Sequence, residues 1–252
     1  MTTSQTPVVK LLSDLRYAVL PLIEWPLDRF SLVGAGTFFD PSLFPWAADV
    51  EREWRSIRAE LDQVLKRPQD VPGFEEILPS QGGLTQDKRW KTFMLYGYGH
   101  KMEENCARCP ETTRLIEQIP GMTTAFFSIL EPGKHIPEHR GFYKGVLRYH
   151  LGLMVPQPAE QCRIRVGQDV RWWEEGKSLI FDDSHMHEVW NDTDGMRVVL
   201  FLDVIRPLPE PLAALNRGLI ELISRSPFVA EARERQKVWA QKQRVGTVRD
   251  GA

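Results

Sequence analysis

The stretch Gly145–Val155, GVLRYHLGLMV, alternates with period two. In an extended chain successive side chains point to opposite faces, so Val146, Arg148, His150 and Gly152 share one face and Leu147, Tyr149, Leu151 and Leu153 the other. The second face is apolar throughout and suited to burial. The first sets a cation and an imidazole among apolar neighbours. RVVLFLDV, beginning at Arg197, repeats the arrangement, with Arg197 heading a face continued by Val199, Phe201 and Asp203. A guanidinium turned towards a sheet interior needs an anion, because a buried unpaired charge is costly. An internal salt bridge, for example to Asp203, and a bound anionic ligand meet that need equally well on spacing alone.

Further short strand-like runs flank these two: Trp90–Tyr96, Thr123–Leu130, Cys162–Val166 and Lys177–Phe181. Pro and Gly turns separate them, which suggests an antiparallel sandwich or jelly roll. Before them, Val50, Trp54, Ile57, Leu61, Val64 and Leu65 recur at helical spacing and predict one amphipathic helix over Val50–Leu65. After them, Pro207, Pro209 and Pro211 stop the sheet, and Leu212–Ser224 returns to helical spacing. The charged tail after Phe228 reads as a solvated helix or a frayed end. The expected organisation is a single domain over 1–252: a helical N-terminal part over about 1–85, a β core over about 88–207 and a C-terminal helical extension over about 208–252.

A net charge of −2, with 42% hydrophobic and 26% charged residues, describes an ordinary soluble domain with no attraction to polyanions. No stripe of Lys and Arg interleaved with aromatics is present, so nucleic-acid binding is disfavoured. The N-terminus lacks a basic opening and a small-residue cleavage site, and no run of about 18 apolar residues occurs. Three cysteines make no disulfide framework, and with the absent signal they point to the cytoplasm. Cys106 and Cys109 form a C-x-x-C, half a zinc site at most, and are read as ordinary thiols in a loop. SLFPWAA, at 42–48, and the helix after Pro211 could touch a bilayer peripherally, but packing on the core is the plainer reading.

Five of the six histidines lie between His135 and His187. His139 ends the stretch EPGKHIPEH and His187 follows FDDSHM, each beside a strand end. Two imidazoles suit an Fe(II) centre that keeps positions open, whereas a lone histidine near a strand end is usually only hydrogen-bonded. His135 and His139 are spaced i, i+4, but Pro137 between them argues against a helical zinc pair.

The runs HRGFYKGVLRYHLGLMVP and EEGKSLIFDDSHMHEVWNDTDGMRVVLFLDV resemble the aspartyl/asparaginyl β-hydroxylase family of Fe(II)/2-oxoglutarate-dependent dioxygenases, including its lipid A and ornithine-lipid acyl hydroxylase relatives. The resemblance covers roughly Trp90–Pro207 and implies a mainly β, double-stranded β-helix (jelly roll, cupin-like) core with flanking N- and C-terminal helices. It implies Fe(II), 2-oxoglutarate and O2 as cofactor and co-substrates, with His139 and His187 as metal ligands and catalytic residues. Arg197, ten residues after His187, is implied to bind the distal carboxylate of 2-oxoglutarate. Arg148, His150 and Ser128 match further co-substrate contacts.

Gly141 stands where most 2-oxoglutarate enzymes carry a carboxylate ligand, and water could fill that position. Related halogenases also have a small residue there, but the surrounding motifs fit the hydroxylases better. Asp182 and Asp183 are read as turn and outer-sphere residues, and Trp190 as close enough to shape a substrate pocket. The implied reaction is hydroxylation of an unactivated C–H. The β-carbon of an Asp or Asn residue in an amino acid or peptide is slightly favoured, with a lipid acyl chain as the alternative. A non-catalytic jelly-roll binding protein is the reading from another class.

Overall fold

The computed structural model describes residues 24–79 and 82–249, so the reading of the N-terminus as signal-free falls mainly outside the described residues. Eleven strands among the described residues form two antiparallel sheets. β1 (Phe38–Phe39), β2 (Trp90–Gly97), β3 (His100–Lys101), β4 (Met122–Leu130), β6 (Val146–Met154), β9 (Ser178–Phe181) and β11 (Arg197–Ile205) make the larger, in the order β1-β9-β6-β11-β4-β2-β3. β5 (Lys134–His139), β7 (Cys162–Val166), β8 (Asp169–Trp172) and β10 (His187–Asn191) make the smaller, in the order β5-β10-β7-β8. The eight consecutive strands β4–β11 therefore wind so that β4 pairs with β11 in one sheet while β5 pairs with β10 in the other. That is the jelly-roll order expected of the sequence.

The alternation in β6 and β11 holds. Leu147, Tyr149, Leu151 and Leu153 face outward with Val198, Leu200, Leu202 and Val204, beneath a helical layer. Val199 and Phe201 face the other way and meet Phe126, Phe181, Ile164 and Val189 between the sheets. The helical layer differs from expectation. The predicted single helix is two, α2 (Pro45–Arg52) and α3 (Trp54–Leu65), because Glu53 leaves helical geometry at φ −93°, ψ 10°. The break lets Ala47 and Val50 of α2 and Ile57, Leu61 and Val64 of α3 all reach the same sheet face.

Residues 24–29 are helical (α1), and four further segments are helical before the tail: α4 (Phe74–Ile77), α5 (Glu103–Arg108), α6 (Pro110–Ile116) and α7 (Leu212–Ser224). The tail itself is helix α8 (Pro227–Arg249), which packs against α4. In SLFPWAA, Phe44 and Ala47 are buried and Trp46 lies against Tyr149, so that segment belongs to the core. Cys106 and Cys109 sit on and after α5 rather than in a loop. Both are buried, and burial pushes the Cys109 thiol up to about 12, so neither is a reactive thiolate at neutral pH.

Leu200 lies on β11, which pairs with both β4 and β6, and is fully buried. Leu200→Ala is expected to cost about 2–5 kcal/mol through lost burial and a residual cavity. Urea unfolding followed by circular dichroism measures it.

Candidate active site

β5 and β10 are hydrogen-bonded neighbours in a register that sets His139 directly opposite His187. Their ring centroids are 4.0 Å apart. Each ring is held by a carbonyl two residues earlier: His139 Nδ1 by Pro137 O at 2.8 Å, and His187 Nδ1 by His185 O at 3.0 Å. A carbonyl only accepts, so Nδ1 carries the proton and each neutral ring keeps the Nε2 lone pair free. Burial holds both rings below the ordinary histidine range, His187 at about 3, and the cation of Arg148 adds to this. Neutral, oriented imidazoles with bare Nε2 atoms are what a divalent metal needs, and carbonyl-held Nδ1–H is the usual support. The donor set therefore fits Fe(II), although no group of three or more His, Cys, Asp or Glu donors stands together among the described residues.

His135 and His185 are elsewhere. His135 pairs with Glu188 at 2.7 Å and stacks on Trp190, and His185 lies 3.9 Å from Asp182. Trp190 thus lies with His135 and Arg163, on the face of β10 opposite inward-facing Val189, and does not shape the pocket as the sequence suggested. Alternation along β10 is the reason: only every second residue can reach the interior.

Arg197 is almost wholly buried, yet its Nε and Nη1 have no partner and no carboxylate forms an ion pair with it among the described residues. Its guanidinium lies over Trp173, 4.5 Å from the ring centre, and its polar neighbour is the sulfur of Cys162. Burial lowers it to about 10, so it is still a cation at neutral pH. Trp173 Nε1 also donates to His150 Nδ1 at 3.2 Å. That bond puts the His150 proton on Nε2, which is buried and unpartnered. Ser128 Oγ accepts from Trp90 Nε1 at 3.1 Å, which leaves its own hydroxyl proton to be donated. A cation and a neutral N–H donor, both unmet and buried between the sheets, describe a site for a carboxylate.

Arg148 is different, because its anions come from the chain itself. Asp183 meets it at 2.7 Å and Asp203 at 3.1 Å. The internal salt bridge considered for Arg197 is thus made by Arg148. Asp183 also explains Gly141, whose N–H donates to Asp183 O at 2.7 Å. A Cβ at 141 would lie 2.2 Å from Asp183 Oδ2, so a side chain there requires Asp183 to move out of its ion pair with Arg148. Burial raises the Asp183 carboxyl to about 6, although Arg148 opposes the shift. Beside it, fully buried Asp182 is bonded by Arg206, while Lys144 bridges Asp182 and Asp28 and Arg140 pairs with Glu24. These contacts tie α1 to the turns that carry both histidines.

A cavity of about 720 Å³ opens on this centre. His139, Gly141, Arg148 and Asp183 form part of its wall. Much of the rest is apolar, including Phe74, Trp90, Met94, Phe126 and Phe142, and α7 and α8 add Ile223, Val229 and Ala232.

The model of the Aspartyl/Asparaginyl beta-hydroxylase family matches residues 51–207, well over half of the chain. The chain belongs to that family. This β-hydroxylase homologue is 47% identical to an ornithine lipid ester-linked acyl 2-hydroxylase of Rhizobium tropici, over 85% of this chain and 76% of that protein. It is 37% identical over 63% of its length to the human aspartyl/asparaginyl beta-hydroxylase, of which it spans 21%. Among solved structures it is similar to a Pseudomonas putida prolyl-4-hydroxylase, at 16% identity and a TM-score of 0.37 over 61% of this chain and 87% of that one. The jelly-roll assignment rests on the strand order described above.

Sequence reasoning placed His139, His187, Arg197 and His150 in the family's site region, and the structure brings them together between or beside the facing sheets. It missed Trp173, which orients His150 and flanks Arg197, and it read Asp183 as an outer-sphere residue without showing that its carboxylate lies against Gly141. Trp173 has no local signal, since it lies just past the end of β8, outside any regular element.

The site of this family member carries a pH signature. Folded His187 titrates near 3 against 6.5 for a free histidine, so the fold favours the neutral ring. That contribution is present above pH 6.5 and is lost as pH falls from 6.5 towards 3. Metal-free protein should lose stability over pH 7 to 4 in urea titrations, and His187→Gln should lose less.

Proposed function

We propose that this hydroxylase-family chain is an Fe(II)/2-oxoglutarate-dependent dioxygenase that hydroxylates a C–H bond in the acyl chain of a lipid. The observation that carries the cofactor reading is Arg197, a buried cation with no anion among the described residues, on the strand whose inward face also meets the His150 N–H and the Ser128 hydroxyl. In this reading His139 and His187 hold the metal through Nε2 and Arg197 pairs with the far carboxylate of 2-oxoglutarate. The Nε2–H of His150 and the hydroxyl of Ser128 orient the same ligand. Arg148, neutralised by Asp183 and Asp203, braces the metal turn. Bound iron with 2-oxoglutarate and O2 supplies oxygen insertion into an unactivated C–H, releasing succinate and CO2.

The cavity supports the acyl alternative over the slightly favoured Asp/Asn β-carbon. Its wall is mostly apolar, and its volume lies within the range of small-molecule pockets. An aspartyl side chain would leave most of that surface without a partner, whereas an alkyl chain matches it. The similarity to the Rhizobium tropici acyl 2-hydroxylase points the same way. Phe142 on the cavity wall and Leu215 and Leu222 on α7 are exposed, which suits peripheral contact with a bilayer that supplies such a substrate. No helix among the described residues is long and apolar enough to cross a membrane. Three free, buried thiols support the cytoplasmic reading. Halogenation is disfavoured, because the Asp183 carboxylate, not open space for a halide, lies against Gly141.

The test is succinate formation from 2-oxoglutarate by protein supplied with Fe(II), ascorbate and air, with acyl lipids or Asp/Asn peptides as acceptors. Lipid-stimulated turnover is expected, absent from His139→Ala and His187→Ala. Peptide-only stimulation would restore the Asp/Asn reading, and no turnover with either acceptor would favour a binding protein. Arg197→Ala is expected to raise the 2-oxoglutarate concentration for half-maximal rate at least about tenfold, from loss of a charged hydrogen-bonded pair. An unchanged half-saturation would remove Arg197 from the co-substrate site.

A further inference from the structure

Four residues of α8 line the cavity: Val229, Ala232, Arg233 and Gln236. They fall at i, i+3, i+4 and i+7, a single helical face. Val229 and Ala232 continue the apolar wall, whereas Arg233 and Gln236 interrupt it. Gln236 is only 6% exposed, and its Oε1 is buried without a hydrogen-bond partner. The Arg233 guanidinium approaches His100 Nε2 at 3.4 Å, and no carboxylate pairs with it among the described residues. Two neighbouring cations of the same helix are placed differently. Arg235 pairs with Glu231 at 2.9 Å, and Lys237 lies 3.9 Å from Glu234. Arg235 and Lys237 thus have carboxylates beside them, whereas Arg233, facing the cavity, has none among the described residues.

We infer that Arg233 and Gln236 form a second anion subsite in this cavity, one that receives the acidic group of an acyl-chain substrate. The inference rests on the acyl reading of the cavity given above. A guanidinium in partly apolar surroundings binds a carboxylate or phosphate more strongly than it would in water. An orphaned amide oxygen next to it calls for a ligand N–H or O–H donor. Together they select an anionic group with a hydroxyl or amide N–H close by, attached to a chain that fills the apolar wall. Such a contact would set which lipid enters and how far along its chain the metal turn is reached.

Calorimetric titration of the whole protein with dodecanoate, its methyl ester, 3-hydroxydodecanoate and acetate tests this. Wild type is expected to bind dodecanoate at least about tenfold more tightly than the ester, as for a charged hydrogen bond gained. Arg233→Ala should erase that preference with ester affinity unchanged, and Arg233→Lys should keep much of it. The 3-hydroxyl should tighten binding to wild type and not to Gln236→Leu, and acetate should not compete. Equal affinity for acid and ester in wild type, or a preference that survives Arg233→Ala, overturns the subsite and leaves the acyl reading standing. Failure of every acyl compound to bind, in protein that turns over 2-oxoglutarate with peptides, overturns the acyl reading and the subsite with it.

Discussion

The antiparallel pairing of β5 with β10 is the contact on which the site depends. It sets His139 against His187, 48 positions apart in sequence, with their ring centroids 4.0 Å apart. The pairing exists because β4 and β11, the strands that flank this pair in the chain, are themselves paired in the opposite sheet. Closure of one sheet thus enforces closure of the other. The apolar faces of β6 and β11 under the helices supply the burial that drives both.

Within that frame the buried arginines sort themselves by their anions. Arg206 is met by Asp182, and Arg148 by Asp183 and Asp203, so both have anions within the chain. Arg197 is met by none among the described residues, and Trp173 covers one face of it while orienting His150 beside it. A fold does not retain an uncompensated buried cation for stability, since an apolar residue there would cost less. Its retention is intelligible when the missing anion is a ligand.

The helical additions give the jelly roll its second property, a deep apolar cavity. α4, α7 and α8 extend its wall beyond the sheets. Tyr143 and Gly145 bond Asn216 of α7, which fixes that helix against the loop following His139. The substrate cavity and the metal turn are therefore built on shared contacts.

Much of this was legible in the residues alone. Period-two alternation in Val146–Met154 and Arg197–Ile205 placed His150 and Arg197 on inward faces, because pleating leaves an extended chain no other choice. The resemblance in the motifs at His139 and His187 supplied their pairing before any geometry was known. What alternation could not decide was which carboxylate meets which guanidinium, since Arg148, Asp183 and Asp203 lie on three different strands or turns and meet only across the sheet. The break at Glu53, the carboxylate beside Gly141, the role of Trp173 and the joint exposure of Arg233 and Gln236 to one cavity were equally invisible. Local pattern fixes the face on which a side chain lies. Long-range packing decides what it meets there, and both the unpaired charge and the apolar cavity are facts of that second kind.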